Sequence, residues 1–362
     1  MSHRIGIGLI GCGQVAETWH LPALKSLKIA DVKAVADVHE ERVNKVADQF
    51  DVSGRYSDYG ALLNDPSVDV VGVCVPPHLH VEVALAVLRA GKHALIEKPL
   101  ALTLEECDRL MVVAAGLPSL KVAVGFNLRW HRLVRQARDI LSQGSLGDIH
   151  LVRSTFASNV GRLGAGDDWK WSLELGGSVL CEQATHHFDL WRFLLRSDVE
   201  EIFAMMPSGS QTAAVMARLE DGTPVSASFA RCTSNNNELE IFGQNASLRL
   251  CSYRFDGLEI LPASSGPGAF DVRLKDAIRM LQNIPWALRS LRQGGDTDES
   301  YRFEWQHLIQ AIREDKPVEE CTLSDGRRAV QVMSAALASV SAGQPVKIND
   351  VSQPDNQGGL YE

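Results

Sequence analysis

The sequence has few of the features that mark exported, membrane-spanning or nucleic-acid-binding proteins. Its seven cysteines are odd in number and never spaced as Cys-x-x-Cys, which argues against a disulfide framework or a zinc site and favours free, buried thiols. No apolar run approaches the roughly 18 residues that a membrane span needs. The 45 acidic residues exceed the 36 basic ones, and the net charge of -9 disfavours binding to phosphate backbones. We therefore expect a cytoplasmic protein that binds small molecules and has neither nucleic acid nor membrane as a partner.

The chain does contain a regular alternation of apolar strand-like runs and amphipathic helical stretches up to Gly125. This alternation predicts a doubly wound parallel sheet. After Gly125 the pattern changes to about six strand-like segments with too few helical crossovers for parallel pairing, which predicts a large, mostly antiparallel open sheet. We therefore predict an α/β fold with a Rossmann domain over residues 1–125, a substrate-binding and oligomerisation domain over 126–350, and a polar tail over 351–362. Residues 262–295 read as irregular.

A glycine-rich turn joins the first predicted strand to the first predicted helix. It follows the pattern Gly-x-Gly-x-x-Ala that cradles a dinucleotide pyrophosphate at a helix N-terminus. The first glycine permits the tight turn, the second lets the backbone approach the pyrophosphate, and the alanine allows close packing of helix on strand. The predicted pyrophosphate cradle consists of Gly11, Cys12, Gly13, Gln14, Val15 and Ala16.

An acidic residue, Asp37, ends the second predicted strand, 26 positions after Gly11. A carboxylate at this place accepts hydrogen bonds from the adenosine ribose hydroxyls and repels a 2′-phosphate. NAD is therefore predicted in preference to NADP.

Two further motifs fall at the carboxyl ends of predicted strands, where ligands bind in open α/β sheets. One is Pro76-Pro77 with His80 shortly after it, and the other is Glu97-Lys98-Pro99. We predict that Pro76, His80, Glu97 and Lys98 line the cofactor pocket. A lysine beside a nicotinamide cation or partly removed from water can release its proton and act in acid/base catalysis, although a lysine at a strand end is also compatible with an ordinary surface charge.

These motifs, together with Ala90 to Ala101 and Gly176 to Leu190, resemble the Gfo/Idh/MocA family, the glucose-fructose oxidoreductase and inositol dehydrogenase group. The similarity extends over about residues 5–195 and continues more weakly through 301–343. The resemblance implies a Rossmann domain followed by an α/β domain whose open sheet mediates dimer or tetramer formation. It also implies a catalytic position for Lys98 near nicotinamide and substrate, and a cis bond to Pro99.

A polar cluster lies on a predicted helix over about residues 177–195. Glu182 and His186 are four positions apart and would share one face, and a carboxylate beside an imidazole raises its pKa. Packing of a buried histidine explains the pattern equally well from the residues alone. The family usually has Asp-x-Gly-x-His here, with both residues facing substrate. The resemblance thus implies a catalytic His186, whereas Glu182, longer than the usual Asp, is a less certain substrate ligand.

No metal is predicted, because His186 and His187 point about 100° apart on a helix and cannot share an ion. Asn127, Arg129 and Trp169 lie near the predicted domain junction, where polar and aromatic groups suit a polyhydroxylated ligand, although interdomain packing is an equal alternative.

The sequence thus predicts an NAD-dependent dehydrogenase that acts on a secondary alcohol of a sugar, inositol or related polyol, with His186 as base and Lys98 as polarising cation, or the reverse. Two alternatives stay open: an NAD-dependent glycoside-cleaving enzyme of the same fold, and a nucleotide-sensing regulator without turnover.

Overall fold

The computed structural model describes residues 4–159, 168–207, 211–264, 270–292 and 295–352. Its first part contains a parallel six-stranded sheet of order β3-β2-β1-β4-β5-β6. The strands are β1 (Ile5–Ile10), β2 (Ala30–Ala36), β3 (Gly54–Tyr56), β4 (Val70–Val73), β5 (His93–Glu97) and β6 (Val122–Gly125). The intervening helices are α1 (Leu21–Ser26), α2 (Glu40–Phe50), α3 (Tyr59–Leu63), α4 (His80–Arg89) and α5 (Leu104–Ala115). The predicted doubly wound parallel sheet is confirmed.

Local sequence explains several boundaries of this part. All four residues of β4 are buried, as an apolar run in a central strand requires. Gly91 follows α4 with a φ of 73°, the left-handed conformation that glycine adopts without strain. Thr103 caps α5 in a reciprocal arrangement with Glu106. The first predicted helix differs, because residues Ala16–His20 form a π-helical turn before α1 begins.

The second sheet has eight strands in the order β13-β12-β11-β7-β10-β9-β8-β14. Every pair is antiparallel except β7 with β10. The strands are β7 (Ile149–Ala157), β8 (Val199–Met205), β9 (Thr212–Leu219), β10 (Pro224–Ala230), β11 (Asn236–Gly243), β12 (Ala246–Cys251), β13 (Leu258–Pro262) and β14 (Val346–Lys347). The mostly antiparallel sheet is confirmed, and β13 and β14 add two strands to the predicted six. Helices α6 (Arg132–Ser142) and α7 (Thr185–Leu195) belong to this part.

Three long helices complete the described chain: α8 (Phe270–Arg292), α9 (Gly295–Arg313) and α10 (Leu323–Ala342). The expectation that residues 262–295 are irregular is therefore wrong, because most of them form the 23-residue helix α8. Pro285 lies inside this helix and does not end it. Helix α9 returns to the parallel sheet: fully buried Trp305 lies against Gly72 of β4, where an added Cβ would be 3.0 Å from the indole. The domain division at Gly125 stays a prediction, since a helix from the C-terminal part completes the N-terminal core.

All seven cysteines are free, and five of them are buried. Among the described helices, none is both long and apolar enough to cross a membrane. The predicted polar tail lies largely outside the described residues, because the description ends at residue 352.

Candidate active site

The glycine turn has the geometry that a bound pyrophosphate requires. Gly11 has a φ of 97°, and a Cβ there would lie 2.4 Å from the carbonyl oxygen of Cys74, so only glycine fits. A Cβ added to Gly13 would meet nothing within 4 Å, which leaves the backbone open on the side where the dinucleotide would lie. Gln14 and Val15 are exposed at this turn, whereas Ala16 is buried against the sheet. These features fit the predicted dinucleotide cradle.

Asp37 is tied to the same turn. Its Oδ2 accepts a hydrogen bond from the backbone N–H of Cys12 at 2.8 Å, and its Oδ1 accepts one from the N–H of His39 at 2.9 Å. The carboxylate is partly exposed, so it can also accept hydrogen bonds from ribose hydroxyls. Asp37 therefore shapes the glycine turn as well as facing the place predicted for the ribose.

Glu97 lies at the centre of a buried hydrogen-bond chain beneath Lys98. The indole N–H of Trp305 donates to Nδ1 of His20 at 2.9 Å, so His20 carries its proton on Nε2 and donates it to Glu97 Oε1 at 2.8 Å. The other oxygen of Glu97 accepts the backbone N–H of Lys98 at 3.1 Å. Burial raises the pKa of Glu97, but His20 and the charge of Lys98 outweigh it and hold the pKa below its usual value. Glu97 is thus a structural carboxylate rather than an exposed cofactor ligand.

Lys98 links the two halves of the site. Its Nζ donates a hydrogen bond to the backbone carbonyl of Glu182 at 2.9 Å, and the bond between Lys98 and Pro99 is cis. Glu182 lies in a π-helical turn, Leu180–Ala184, that precedes α7. This turn replaces part of the uninterrupted α-helix that the sequence suggested, and the shared face of Glu182 and His186 stays a prediction.

The carboxylate of Glu182 is paired with Arg231 instead. Arg231 Nη1 donates to Glu182 Oε2 at 2.7 Å, and its Nη2 donates to the carbonyl oxygens of Lys170 and Gly177, each at 2.7 Å. The Arg231 side chain is 4% exposed and that of Glu182 is 16% exposed. A buried guanidinium, held through both Nη atoms, therefore fixes Glu182, whose role as a substrate ligand stays a prediction.

His186 lies next to Lys98 but not in the environment that the sequence suggested. Burial lowers its pKa well below the usual value, and the charge of Lys98 lowers it further. The expectation that Glu182 raises this pKa is wrong, because the carboxylate is engaged by Arg231. No described residue hydrogen-bonds to His186 Nδ1. His186 is therefore a neutral imidazole, the state that a general base needs; its ring is partly exposed, although Nδ1 itself is buried.

Two predicted substrate ligands need correction. Arg129 is 4% exposed and donates from Nε to Asp189 at 2.7 Å and from Nη1 to Asp325 at 3.1 Å, so it anchors α7 and α10 from the inside. Asn127 is also 4% exposed and donates to Ser300 Oγ at 3.1 Å. Both side chains are buried in interhelical contacts and do not line an open pocket. Trp169 is partly exposed and stays a predicted ligand.

His80 also departs from its predicted role as a cofactor ligand. Its side chain is 1% exposed, and both ring nitrogens lie against backbone carbonyls, at 2.6 Å from Pro99 and 2.8 Å from Val75. The neighbouring Pro76 is partly exposed at the end of β4 and stays a predicted cofactor contact.

Sequence reasoning missed the residues that α9 brings beneath the site. Trp305 belongs to the Glu97 chain, and Glu304 is 2% exposed with neither carboxyl oxygen hydrogen-bonded to a described residue. Burial raises the pKa of Glu304 well above its usual value, and the charge of Glu97 adds to this. No local signal could identify these residues, because their role depends on the long return of α9 to the first sheet.

The fold and site together define a class. A parallel sheet with an open glycine turn, an acidic residue ending β2, and a lysine beside a neutral histidine is the arrangement of a nicotinamide-dependent dehydrogenase that acts on CH–OH groups.

Comparison with known proteins gives the family. Residues 5–126 match the NAD-binding Rossmann fold of the GFO/IDH/MocA oxidoreductase family, and residues 134–249 match the C-terminal domain of the same family. The chain belongs to this family, and NAD is its cofactor.

Among relatives with known names, one covers nearly the whole chain and another about half of it. Myo-inositol 2-dehydrogenase of Thermotoga maritima is 26% identical over 357 residues, which cover 95% of this chain and 99% of the relative. A 1,5-anhydro-D-fructose reductase of Ensifer adhaerens is 33% identical over 204 residues, covering 56% of this chain and 60% of the relative. Among solved structures, levoglucosan dehydrogenase in complex with NADH and levoglucosan superposes with a TM-score of 0.80 at 22% identity, covering 96% of this chain and 100% of that one.

Proposed function

We propose that this dehydrogenase interconverts a secondary alcohol and a ketone on a sugar, an inositol or a related polyol. The observation that carries the proposal is the hydrogen bond from Lys98 Nζ to the carbonyl of Glu182, which joins the nicotinamide side of the site to the helix that bears His186. The names of the relatives, which include inositol and sugar dehydrogenases, support this substrate class.

The proposed mechanism divides the work between two side chains. When bound, NAD supplies the carbon that accepts the hydride. In the oxidation direction, neutral His186 takes the proton from the substrate hydroxyl as the C–H bond breaks. The Lys98 ammonium, held in place through its contact with Glu182, stabilises the negative charge that develops on the substrate oxygen. The ketone forms, and in the reverse direction His186 returns the proton.

The test is a screen of cyclic polyols, sugars and sugar acids for reduction of NAD at alkaline pH. One equivalent of NADH for each equivalent of ketone supports the proposal. Glycoside cleavage without net NADH would favour the transient use of a tightly held cofactor. Tight NAD binding without turnover of any compound in the panel would favour a sensor.

We also propose a homo-oligomer, a dimer or tetramer, that forms through the open face of the second sheet. Met216 is 63% exposed and Met205 is 58% exposed, and both point away from the buried face of their strands. Exposed apolar side chains on one sheet face suit contact between copies. Light scattering of Met216→Lys tests this, because a charge on the face should dissociate the oligomer.

The seven free cysteines support a separate proposal, a reducing, cytoplasmic location.

A further inference from the structure

His80 occupies a position that the proposed chemistry does not use. It begins α4, and its ring lies between two loops that leave the carboxyl ends of the neighbouring strands β4 and β5. Nε2 is 2.8 Å from the carbonyl oxygen of Val75, which follows β4. Nδ1 is 2.6 Å from the carbonyl oxygen of Pro99, which follows Lys98 after β5. One buried imidazole therefore joins the two loops that border the predicted nicotinamide pocket.

The two partners of this ring are both acceptors. A backbone carbonyl has no proton to donate, and a neutral imidazole has only one N–H. In a neutral ring, the second nitrogen would face a carbonyl oxygen with its lone pair at hydrogen-bond distance, which is repulsive. Only a doubly protonated ring can donate to both oxygens. Short N–H···O distances are also typical of hydrogen bonds in which the donor is charged.

The surroundings hold charges of both signs. Burial, with the charge of Lys98, lowers the pKa of His80 below its usual value, against the carbonyls of Pro99 and Val75 and the charge of Glu97; the neutral ring that burial favours leaves one nitrogen facing a carbonyl oxygen with no proton between them. Glu97 is 7% exposed and needs a buried counter-charge. His20 cannot supply that charge, because its Nδ1 accepts the indole N–H of Trp305. A positive ring at His80 would therefore add to the charge of Lys98 in balancing Glu97.

We propose that His80 is an imidazolium clamp, a positioning residue that donates to Val75 and Pro99 at once and thereby fixes Lys98 relative to the β4 loop. Its influence on the reaction passes through Lys98, so this consequence rests on the proposed function. The charge state itself does not depend on that function and can be measured without substrate.

The first experiment measures the ring directly. Full-length protein with ¹⁵N-labelled histidine is followed by NMR from acidic to alkaline pH, and the His80 signals are assigned by their loss in His80→Gln. We expect both ring nitrogens to show the protonated chemical shift, with two protected N–H protons, at a pH where an ordinary histidine, with a pKa near 6.5, is neutral. One unprotonated ring nitrogen at neutral pH would overturn the clamp, whether or not the protein is active.

The second experiment measures coupling to Lys98 in a double-mutant cycle. His80→Gln and Lys98→Met are made singly and together, and kcat and NADH affinity are determined for each. We expect His80→Gln to lower kcat about 10-fold with NADH affinity nearly unchanged, and to add little in the Lys98→Met background. The matched control is His78→Gln, on the same loop, which should retain kcat. If the fold-decrease of kcat in the double variant equals the product of the decreases in the two single variants, His80 does not act through Lys98.

Discussion

The ammonium of Lys98 and the backbone carbonyl of Glu182 are joined by a 2.9 Å hydrogen bond across 84 residues of sequence. This contact connects the end of β5 with the π-helical turn before α7, and so places the lysine beside His186. It uses a backbone oxygen, so it depends on the conformation of the turn and not on the identity of the side chain at position 182.

Replacing Lys98 by Met should lower turnover at least roughly 100-fold, because it removes the charge that we propose stabilises the substrate oxygen. NADH affinity should be retained, since the glycine turn and Asp37 are untouched. Steady-state kinetics and NADH fluorescence titration measure the two effects. The control is Lys316→Met, at a side chain that is 67% exposed, and it should behave as the unmodified protein. Full turnover in Lys98→Met would remove this residue from the reaction.

Replacing His186 by Asn should also lower turnover at least roughly 100-fold, because it removes the proposed base. Because the pKa of His186 is lowered, the imidazole of the unmodified protein stays neutral through the range around pH 7, and only a fall to well below pH 6.5 protonates it. The pH profile of kcat/KM should therefore show no loss attributable to His186 between neutral pH and 6.5. A decline centred near pH 6.5 that disappears in His186→Asn would contradict the assigned environment.

His187 should make stability depend on pH. It is buried between Ser154 and Asn237, and burial lowers its pKa to about 4. Between pH 6.5 and 4 the unfolded chain binds a proton at this residue that the folded chain does not, so the free energy of unfolding falls as pH falls through this window. Denaturant titrations should show a shallower decline in His187→Gln. An identical slope in both proteins would argue against a neutral, buried His187.

Asp37→Ser should weaken NAD binding about 10-fold or more and narrow the preference for NAD over NADP, because the carboxylate is predicted to contact the ribose hydroxyls and to repel a 2′-phosphate. Rates with NADH and NADPH on one substrate measure this. If the unmodified protein prefers NADPH, Asp37 does not have this role.

Trp305→Phe should keep the packing against Gly72 but remove the donor to His20 Nδ1. An unsatisfied buried acceptor costs about 1–3 kcal/mol, so the free energy of unfolding should fall by an amount of this order. Urea denaturation measures the change, and Trp171→Phe, at a side chain that is 52% exposed, is the stability control. Equal stability of the two variants would mean that the Trp305–His20 contact contributes nothing.

The parallel sheet, the glycine turn and Asp37 could be predicted because their signals are local: each depends on residues that are neighbours in sequence. Lys98 and His186 could be named as candidate catalytic residues from the sequence, but their burial and hydrogen-bond partners could not be predicted. The π-helical turn before α7 has no local signal, and Arg231, which follows β10 far along the chain, determines where the carboxylate of Glu182 points. Long-range packing likewise buried Arg129 and Asn127 and brought Trp305 beneath Glu97, which no periodicity indicates.

The most direct test of the account uses a polyol substrate from the screen that carries deuterium on the reacting carbon. We predict that one deuterium is transferred to C4 of the nicotinamide for each ketone formed, and that Lys98→Met binds NAD but shows this transfer at a rate at least roughly 100-fold lower. Deuterium released to water, or transfer at an unchanged rate in Lys98→Met, would contradict a hydride transfer supported by Lys98.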